Sequence, residues 1–286
     1  MTSPVWLITG ASGGLGLALA LRILRAGHSV VGTVRNKTKA ADAVRQIEQA
    51  GGTVIELDMT DSKESITSKV QAAGRIDYLV NNAGYSILAP CEDISEKEVS
   101  VQMETNFFGP LYTMQAVLPG MRAQQSGTIV NVSSVAAKDP QPACSLYCAS
   151  KAALEAASES LAKEVAPHKI RVLIVEPGAF RTNFVNALAD VSPDPDSVPS
   201  HYQDPVGMVI SKFLGVHGKQ VGDPEKAADR IYEAVTGEGM AGHLSGKVLR
   251  LVLGQDSLDR IRRNNDVFVN ELQLQEETAP TTAFAS

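Results

Sequence analysis

Cysteine is scarce in this chain: Cys91, Cys144 and Cys148 are the only three in 286 residues. An odd count, with no positively charged leader in Met1–Pro4, argues against a disulfide-built scaffold and leads us to expect a cytoplasmic protein. Basic residues are also in the minority, 26 Lys and Arg against 32 Asp and Glu for a net charge of −6, so nucleic acid is not expected as a partner. Long apolar runs are missing, since Arg22 and Arg25 interrupt the best candidate, and no membrane span is expected. The five histidines (His28, His168, His201, His217 and His243) fall at no metal-ligand spacing. Cys144 and Cys148 have no second pair beside them, so they read as packing residues and no metal is expected. No repeat, low-complexity tract or Pro/Ser-rich boundary precedes about residue 190, which gives one domain over residues 1–275 and an expected disordered tail at 276–286.

What the chain does have is a hydrophobic content of 44%, ample for a core, and apolar segments of strand length. Candidate strands are Val5–Thr9, Ser29–Val34, Thr53–Leu57, Asp77–Asn81, Thr128–Val132, Arg171–Val175 and Lys247–Leu253. Most are continuous Val/Ile/Leu runs rather than alternating ones, the pattern of strands covered on both faces. Helical stretches separate them, which predicts an α/β fold with a doubly wound parallel sheet of about seven strands. Ligands of such sheets bind at the carboxyl ends of the strands. Several polar and glycine-rich motifs fall there.

The first of these is TGASGGLG, directly after the first strand and before the helical LALALRILRA. Strand, glycine-rich turn and helix form the context of a phosphate-binding loop. Gly10 permits a tight turn, and Gly14 and Gly16 allow backbone and helix to approach a pyrophosphate set over the positive end of the helix. Gly13 adds a further glycine.

The second is Tyr147 with Lys151, four residues apart in LYCASKAALEAASESLAKEV and so on one face of a predicted helix. A free phenol titrates near roughly pH 10, and a neighbouring cation favours its charged form. Acid–base catalysis works best when the pKa approaches the working pH. By itself the spacing is also that of an ordinary amphipathic helix; its companions give it chemical meaning.

TGASGGLG, NNAG at Asn81–Gly84 and YCASK at Tyr147–Lys151 together resemble the signature of the short-chain dehydrogenases/reductases. Asn106 in METNFFG, Ser134 in IVNVSSVAA and PGAFRT from Pro177 to Thr182 extend the resemblance, in the expected order, over residues 5 to about 183. It implies a Rossmann-type fold and a catalytic set of Asn106, Ser134, Tyr147 and Lys151. Tyr147 would be the acid in reduction and the base in oxidation. Lys151 would lower its pKa and bind the nicotinamide ribose. Ser134, thirteen residues before Tyr147, would donate to the substrate oxygen. Ser133 is its nearest competitor, and adjacent strand residues face opposite ways. Asn106 would hold a water that links Lys151 to solvent.

The resemblance also implies a dinucleotide held by Gly10, Ser12, Gly14, Leu15, Gly16, Asn82, Ala83, Gly84, Tyr147, Lys151, Pro177, Gly178, Phe180 and Thr182. Asp58 would accept a hydrogen bond from the adenine amino group, although an Asp opening a loop is often a turn residue. Leu15 stands where Ile is common, and no glycine follows the serine in SSVAAKDPQPAC. The end of the second strand carries Val34 where a carboxylate would select the 2′-hydroxyl of NAD, and Arg35 follows. An arginine fork suits a 2′-phosphate, with Ser12 and Asn36 in support, so NADP(H) is the expected cofactor.

Residues 183–222 hold Pro193, Pro195, Pro199 and Pro205 and read as a substrate loop after the sixth strand. Phe184, Val185, Leu188, Tyr202, Met208, Val209, Phe213 and Tyr85 would line it, suiting a fairly large lipophilic ketone or secondary alcohol. The same residues would serve a lid that packs on its own protein. A non-redox cyclase or isomerase, an NAD-dependent alcohol dehydrogenase and a cofactor-sensing regulator stand as alternatives. The helices at Gly109–Met121 and after Tyr147 imply a homodimer or homotetramer by resemblance.

Overall fold

Seven apolar segments become strands in the computed structural model of the protein, which describes residues 3–184, 192–216 and 218–284. They are β1 Val5–Ile8, β2 Ser29–Val34, β3 Thr53–Glu56, β4 Tyr78–Asn81, β5 Gly127–Val132, β6 Ile170–Pro177 and β7 Arg250–Leu253. The sheet runs β3-β2-β1-β4-β5-β6-β7 with every neighbouring pair parallel, the doubly wound arrangement the sequence predicts. Strand order reverses between β1 and β4, which opens a crevice at their carboxyl ends.

Described helices fill the crossovers: α1 Gly14–Arg25, α2 Ala41–Gln49, α3 Lys63–Ala72, α4 Glu96–Met103 and α5 Gly109–Gln124. They continue with α6 Ser145–Val165, α7 Met208–Gly215, α8 Pro224–Thr236 and α9 Gln255–Gln273. Strand alternation in β1 divides the core between two layers. Trp6 and Ile8 are fully buried against Leu19 and Ile23 of α1 and Ile231 of α8, while Leu7 faces Met114 and Met121 of α5 and Leu154 of α6. Each such side chain contributes ~1.5–3 kcal/mol, which anchors both layers to the sheet and fixes where the strand ends emerge.

Differences from the expected strands lie at the ends. β1 and β3 stop one residue short, before Thr9 and Leu57; the Thr9 hydroxyl is recruited by the loop after β4. β7 begins at Arg250 rather than Lys247, since a 3-10 turn at Gly242–Leu244 and Gly246 at φ +70 precede it. α4 runs into α5 through a π-helical turn, Glu104–Phe108, whose extra residue turns Asn106 inward to complete burial.

A third apolar cluster sits apart from the two layers. Cys144 and Cys148 of α6 pack with Leu88 and with Val198, Val206 and Ile210 of the segment after β6. Beyond α9 the chain carries exposed residues and a 3-10 turn at Ala279–Thr282, in the stretch expected to be a disordered tail. Among the described residues no helix is long and apolar enough to cross a membrane, and no His/Cys/Asp/Glu group is placed to hold a metal ion.

Candidate active site

The glycine loop is built from close approaches that side chains would block. Gly10 has φ +69, and a Cβ on it would lie 2.8 Å from the Ala83 Cα. Gly14 has φ +53 and faces Thr182, whose Cβ would be 3.1 Å from an added methyl. A Cβ on Gly16 would collide with Asn82 Nδ2 and the Gly10 carbonyl. Asn82 Nδ2 donates to the carbonyls of Thr9 and Gly10 at 3.0 and 3.1 Å, and the Thr9 hydroxyl accepts from the N–H groups of Asn82 and Ala83, both at 3.0 Å. NNAG thereby clamps the glycine loop from the next strand.

The N-terminus of α1 begins at this loop with no side-chain cap and no acidic residue in its first turn. Its free N–H groups and helix dipole suit an anion. Ser12 is exposed beside them, whereas the side chain of Leu15 packs on the core, so any ligand contact there would come from its backbone.

Arg35 is exposed at the end of β2, and its charge reaches the Tyr85 phenol, which burial nevertheless holds above the ordinary tyrosine value. The loop after Arg35 is braced by Glu56, which accepts the Lys37 N–H at 2.7 Å, and by Asn36, which accepts that of Lys39 at 2.8 Å. Asn36 is thus engaged in its own turn. Asp58 behaves in the same way, accepting from the Thr60 N–H and hydroxyl at 3.0 and 2.9 Å.

Ser134, Tyr147 and Lys151 converge at the ends of β5 and α6. The Ser134 hydroxyl accepts from the Ala136 N–H at 3.1 Å and hydrogen-bonds the Tyr147 phenol. Ser133 is turned away and donates to Glu155 Oε1 at 2.6 Å. Lys151 is buried and donates from Nζ to the Val132 carbonyl at 2.8 Å, with Nζ 5.9 Å from the centre of the Tyr147 ring.

Burial pushes the Tyr147 phenol up to about 12, and its hydrogen bond with Ser134 pulls the other way. Burial also takes Lys151 down to about 8, against the charge of Glu155, which raises it. Lys151 is not among the groups that shift the phenol in this arrangement, where burial dominates. The ammonium points to a backbone carbonyl, and desolvation acts on a phenol set among apolar neighbours.

Asn106 joins this group from the π turn. Its Oδ1 accepts the Tyr85 N–H at 3.1 Å, and its Nδ2 donates to the Tyr85 carbonyl at 2.9 Å and to Ser150 at 3.0 Å. A Cβ on Gly84 would lie 3.2 Å from both Asn106 Oδ1 and Lys151 Nζ, a tight approach that sets these two groups on either side of the glycine.

The strand end opposite is locked by a residue that sequence reasoning missed. Asp256, in the first turn of α9, accepts the Ala179 N–H at 2.8 Å, and a Cβ on Gly178 would strike its carboxylate. Its signal was there to read, an acid opening a helix after Gly254. Thr9 and Glu155 were missed too, the former a strand residue with an inward hydroxyl. Pro177 pairs with Leu253 in register, and the Gly178 N–H donates to the Leu253 carbonyl at 2.8 Å. Phe180 forms a parallel bridge with Gly222, and Arg181 donates from Nε and Nη2 to the Gln220 carbonyl at 3.2 and 3.0 Å.

Thr182 Oγ1 accepts the Phe184 N–H at 3.3 Å, and the Phe184 ring lies 6.0 Å from that of Tyr147. Tyr202, Val209 and Phe213 pack on the cluster around Cys144, while Met208 is exposed. Val185 and Leu188 lie outside the described residues.

These features fit a dinucleotide. The cradle excludes Cβ atoms, the helix end is uncapped, no carboxylate occupies position 34, and a free guanidinium follows. Comparison with known proteins agrees. A model of the short chain dehydrogenases matches residues 4–192. Oxidoreductase claN of Passalora fulva is 48% identical over 187 residues, 65% of this chain and 86% of that protein. A short-chain dehydrogenase structure from Streptomyces avermitilis superposes with a TM-score of 0.84 at 36% identity, covering 99% of this chain and all of that one. A metagenomic short-chain oxidoreductase in complex with NADP superposes at 0.59 with 32% identity, over 63% of this chain and 85% of its own.

Proposed function

The chain belongs to the short chain dehydrogenase family, and on that premise we propose that it is an NADP(H)-dependent enzyme interconverting a ketone and a secondary alcohol on a fairly large lipophilic molecule. The observation that carries this reading is the meeting of the Ser134 hydroxyl, the Tyr147 phenol and the Lys151 ammonium beside an uncapped glycine-loop helix. Gly10, Gly14, Gly16 and the Asn82–Gly84 clamp would hold the pyrophosphate and its ribose. Arg35 would meet the 2′-phosphate, and Thr182 with the backbone near Phe180 the carboxamide. When bound, the nicotinamide supplies or takes the hydride.

The remaining chemistry belongs to the protein. The Tyr147 phenol carries its proton at neutral pH, and its Oη would give that proton to a substrate oxygen. Ser134 donates to the same oxygen as it gains charge, and in doing so releases its hold on the phenol. Lys151, with Asn106 behind it, returns a proton to Tyr147 from solvent. Phe184 over Tyr147 and the cluster of Cys144, Cys148, Val198 and Ile210 offer apolar surface and keep bulk water away.

Among the solved neighbours three are complexes with NADP or NADPH and one with NAD, so cofactor choice rests on Arg35 and Val34 of this chain. The test is calorimetric titration of the protein with NADPH and with NADH, followed by a screen of lipophilic ketones against the preferred one. Tight NADPH with weak NADH is expected. Preference for NADH overturns the phosphate contact, and binding of neither overturns the oxidoreductase reading. The helix pair α5 and α6 goes with a homodimer or homotetramer in the same proposal.

A further inference from the structure

Beneath the reactive residues lies a cluster of charges to which the reaction as described gives no role. Glu155, on α6, is 2% exposed, and Glu176, at the end of β6, is 1% exposed. Glu155 accepts from Ser133 at 2.6 Å and pairs with Lys138 Nζ at 2.7 Å. Arg250 of β7 reaches both carboxylates, its Nε 3.1 Å from Glu176 and 3.9 Å from Glu155, and its other end pairs with Glu159 on α6. Asp139 and Arg260 neighbour the group but neutralise one another at 2.6 Å. Three carboxylates, Glu155, Glu159 and Glu176, therefore face Lys138, Arg250 and, one turn back along α6, Lys151.

Neither oxygen of Glu176 finds a hydrogen-bond donor among the described residues, although its carboxyl contacts that of Glu155. Two ionised carboxylates cannot satisfy each other; a proton held between them supplies the missing donor.

The position of the pair gives it a consequence. Glu155 lies one helical turn beyond Lys151, and its negative charge is the one that opposes the desolvation of that ammonium. Ser133, its hydroxyl partner, follows the residue whose carbonyl holds Lys151 Nζ. We propose that Glu155 and Glu176 form a proton-sharing carboxyl pair that positions the charge of Lys151: Glu155 is the anionic partner one turn away, and Glu176 gives up the shared proton to add negative charge when solution pH rises. Both are positioning residues, acting through the lysine.

The pair works as a compensator. Rising pH tends to strip the ammonium of Lys151, whose own value burial has brought to about 8. Glu176, raised to about 7 by its burial and by Glu155, ionises in the same range, and in this proposal its charge reaches the lysine through the shared pair with Glu155 and makes it harder to deprotonate. Lys151 thus keeps its proton across the range in which Tyr147 must be resupplied.

The inference rests on Lys151 as the relay lysine of the proposed reaction, yet its test needs neither dinucleotide nor substrate. Infrared titration of protein carrying isotope-labelled glutamate should show one buried protonated carboxyl band that vanishes as pH rises through about 7. Nitrogen NMR of labelled lysine side chains, assigned with Lys151→Arg, should place the Lys151 midpoint lower by about one pH unit, a tenfold change, in Glu155→Gln, and by a smaller step in Glu176→Gln. The glutamines keep the shape of a protonated carboxyl. A Lys151 midpoint unmoved in both variants overturns the proposal. So does the lack of a titrating carboxyl band in the unmodified protein, a result that stands even if a variant fails to fold. A failure to bind NADPH counts against the proposed reaction alone and leaves the carboxyl pair standing, because neither readout needs a dinucleotide.

Discussion

Around Gly10, Gly14 and Gly16 the chain leaves no room for a methyl group, whereas around Gly215, at the end of α7, an added Cβ meets nothing within 4 Å. Both regions lie at the carboxyl edge of one sheet. On the nucleotide side, backbone packs on backbone, and NNAG hydrogen bonds hold it from a neighbouring strand. On the cover side, residues 192–216 form short turns and one helix of eight residues, held by side chains of the cluster around Cys144. A site that must approach a shared cofactor closely is defined by what cannot be added to it. A surface that must suit one substrate is defined by side chains that can be exchanged.

The centre between the two regions gives the largest expected effect. Tyr147→Phe should lower kcat by at least ~10²-fold, the usual worth of general acid–base catalysis, with the NADPH affinity nearly unchanged. Activity within a few-fold of the unmodified enzyme would remove the tyrosine from the reaction. The contrast of the two regions is tested directly by Gly16→Ala against Gly215→Ala. The first drives a Cβ into Asn82 and the Gly10 carbonyl, and should cost more than ~10-fold in NADPH affinity, about 1.4 kcal/mol or more; the second should leave affinity and melting temperature as they were. Equal tolerance at the two positions would erase the distinction.

Arg35→Ala should weaken NADPH by about tenfold and spare NADH, read by calorimetry. An equal loss for both would mean that the guanidinium touches something common to the two. Phe184→Ala should raise KM by a few-fold with little change in kcat, since the ring borders Tyr147 from the cover side. A pure kcat effect would move Phe184 into the reacting group.

The smallest effect concerns pH. A carboxyl whose folded value is raised stabilises the fold below its unfolded value and loses that contribution as pH rises through the folded one. For Glu176 the window runs from 4.5 to about 7. Melting temperature should carry a downward component across it that Glu176→Gln removes; an identical pH profile in that variant would contradict the raised value.

Much of this was legible in the sequence, and the reasons divide along the same line. Continuous apolar runs gave the seven strands and their parallel order, and motifs at the strand ends gave the place of the site. Strand limits were less legible, because an apolar run does not show where the ladder ends: Thr9 and Leu57 each donate one last N–H to the neighbouring strand before the chain turns away. Ser134 and Ser133 could be told apart only by spacing until Ser133 was found tied to Glu155. The turn of Lys151 Nζ to the Val132 carbonyl was beyond the sequence, since a four-residue spacing says only which groups are neighbours. Asp256 escaped notice because its partner, Ala179, lies 77 residues away.

The clasp at the foot of the cover, where Arg181 holds the carbonyl of Gln220 across 39 residues, has a consequence for how such a protein can change over time. Closing a flexible excursion costs free energy that grows only with the logarithm of its length, about 0.6 kcal/mol for each doubling. With both ends pinned beside Phe180 and Gly222, a change of length in between leaves the end of β6 in place. The stretch behaves as an interchangeable cassette, through which a lineage can acquire a new substrate while inheriting its redox chemistry unaltered.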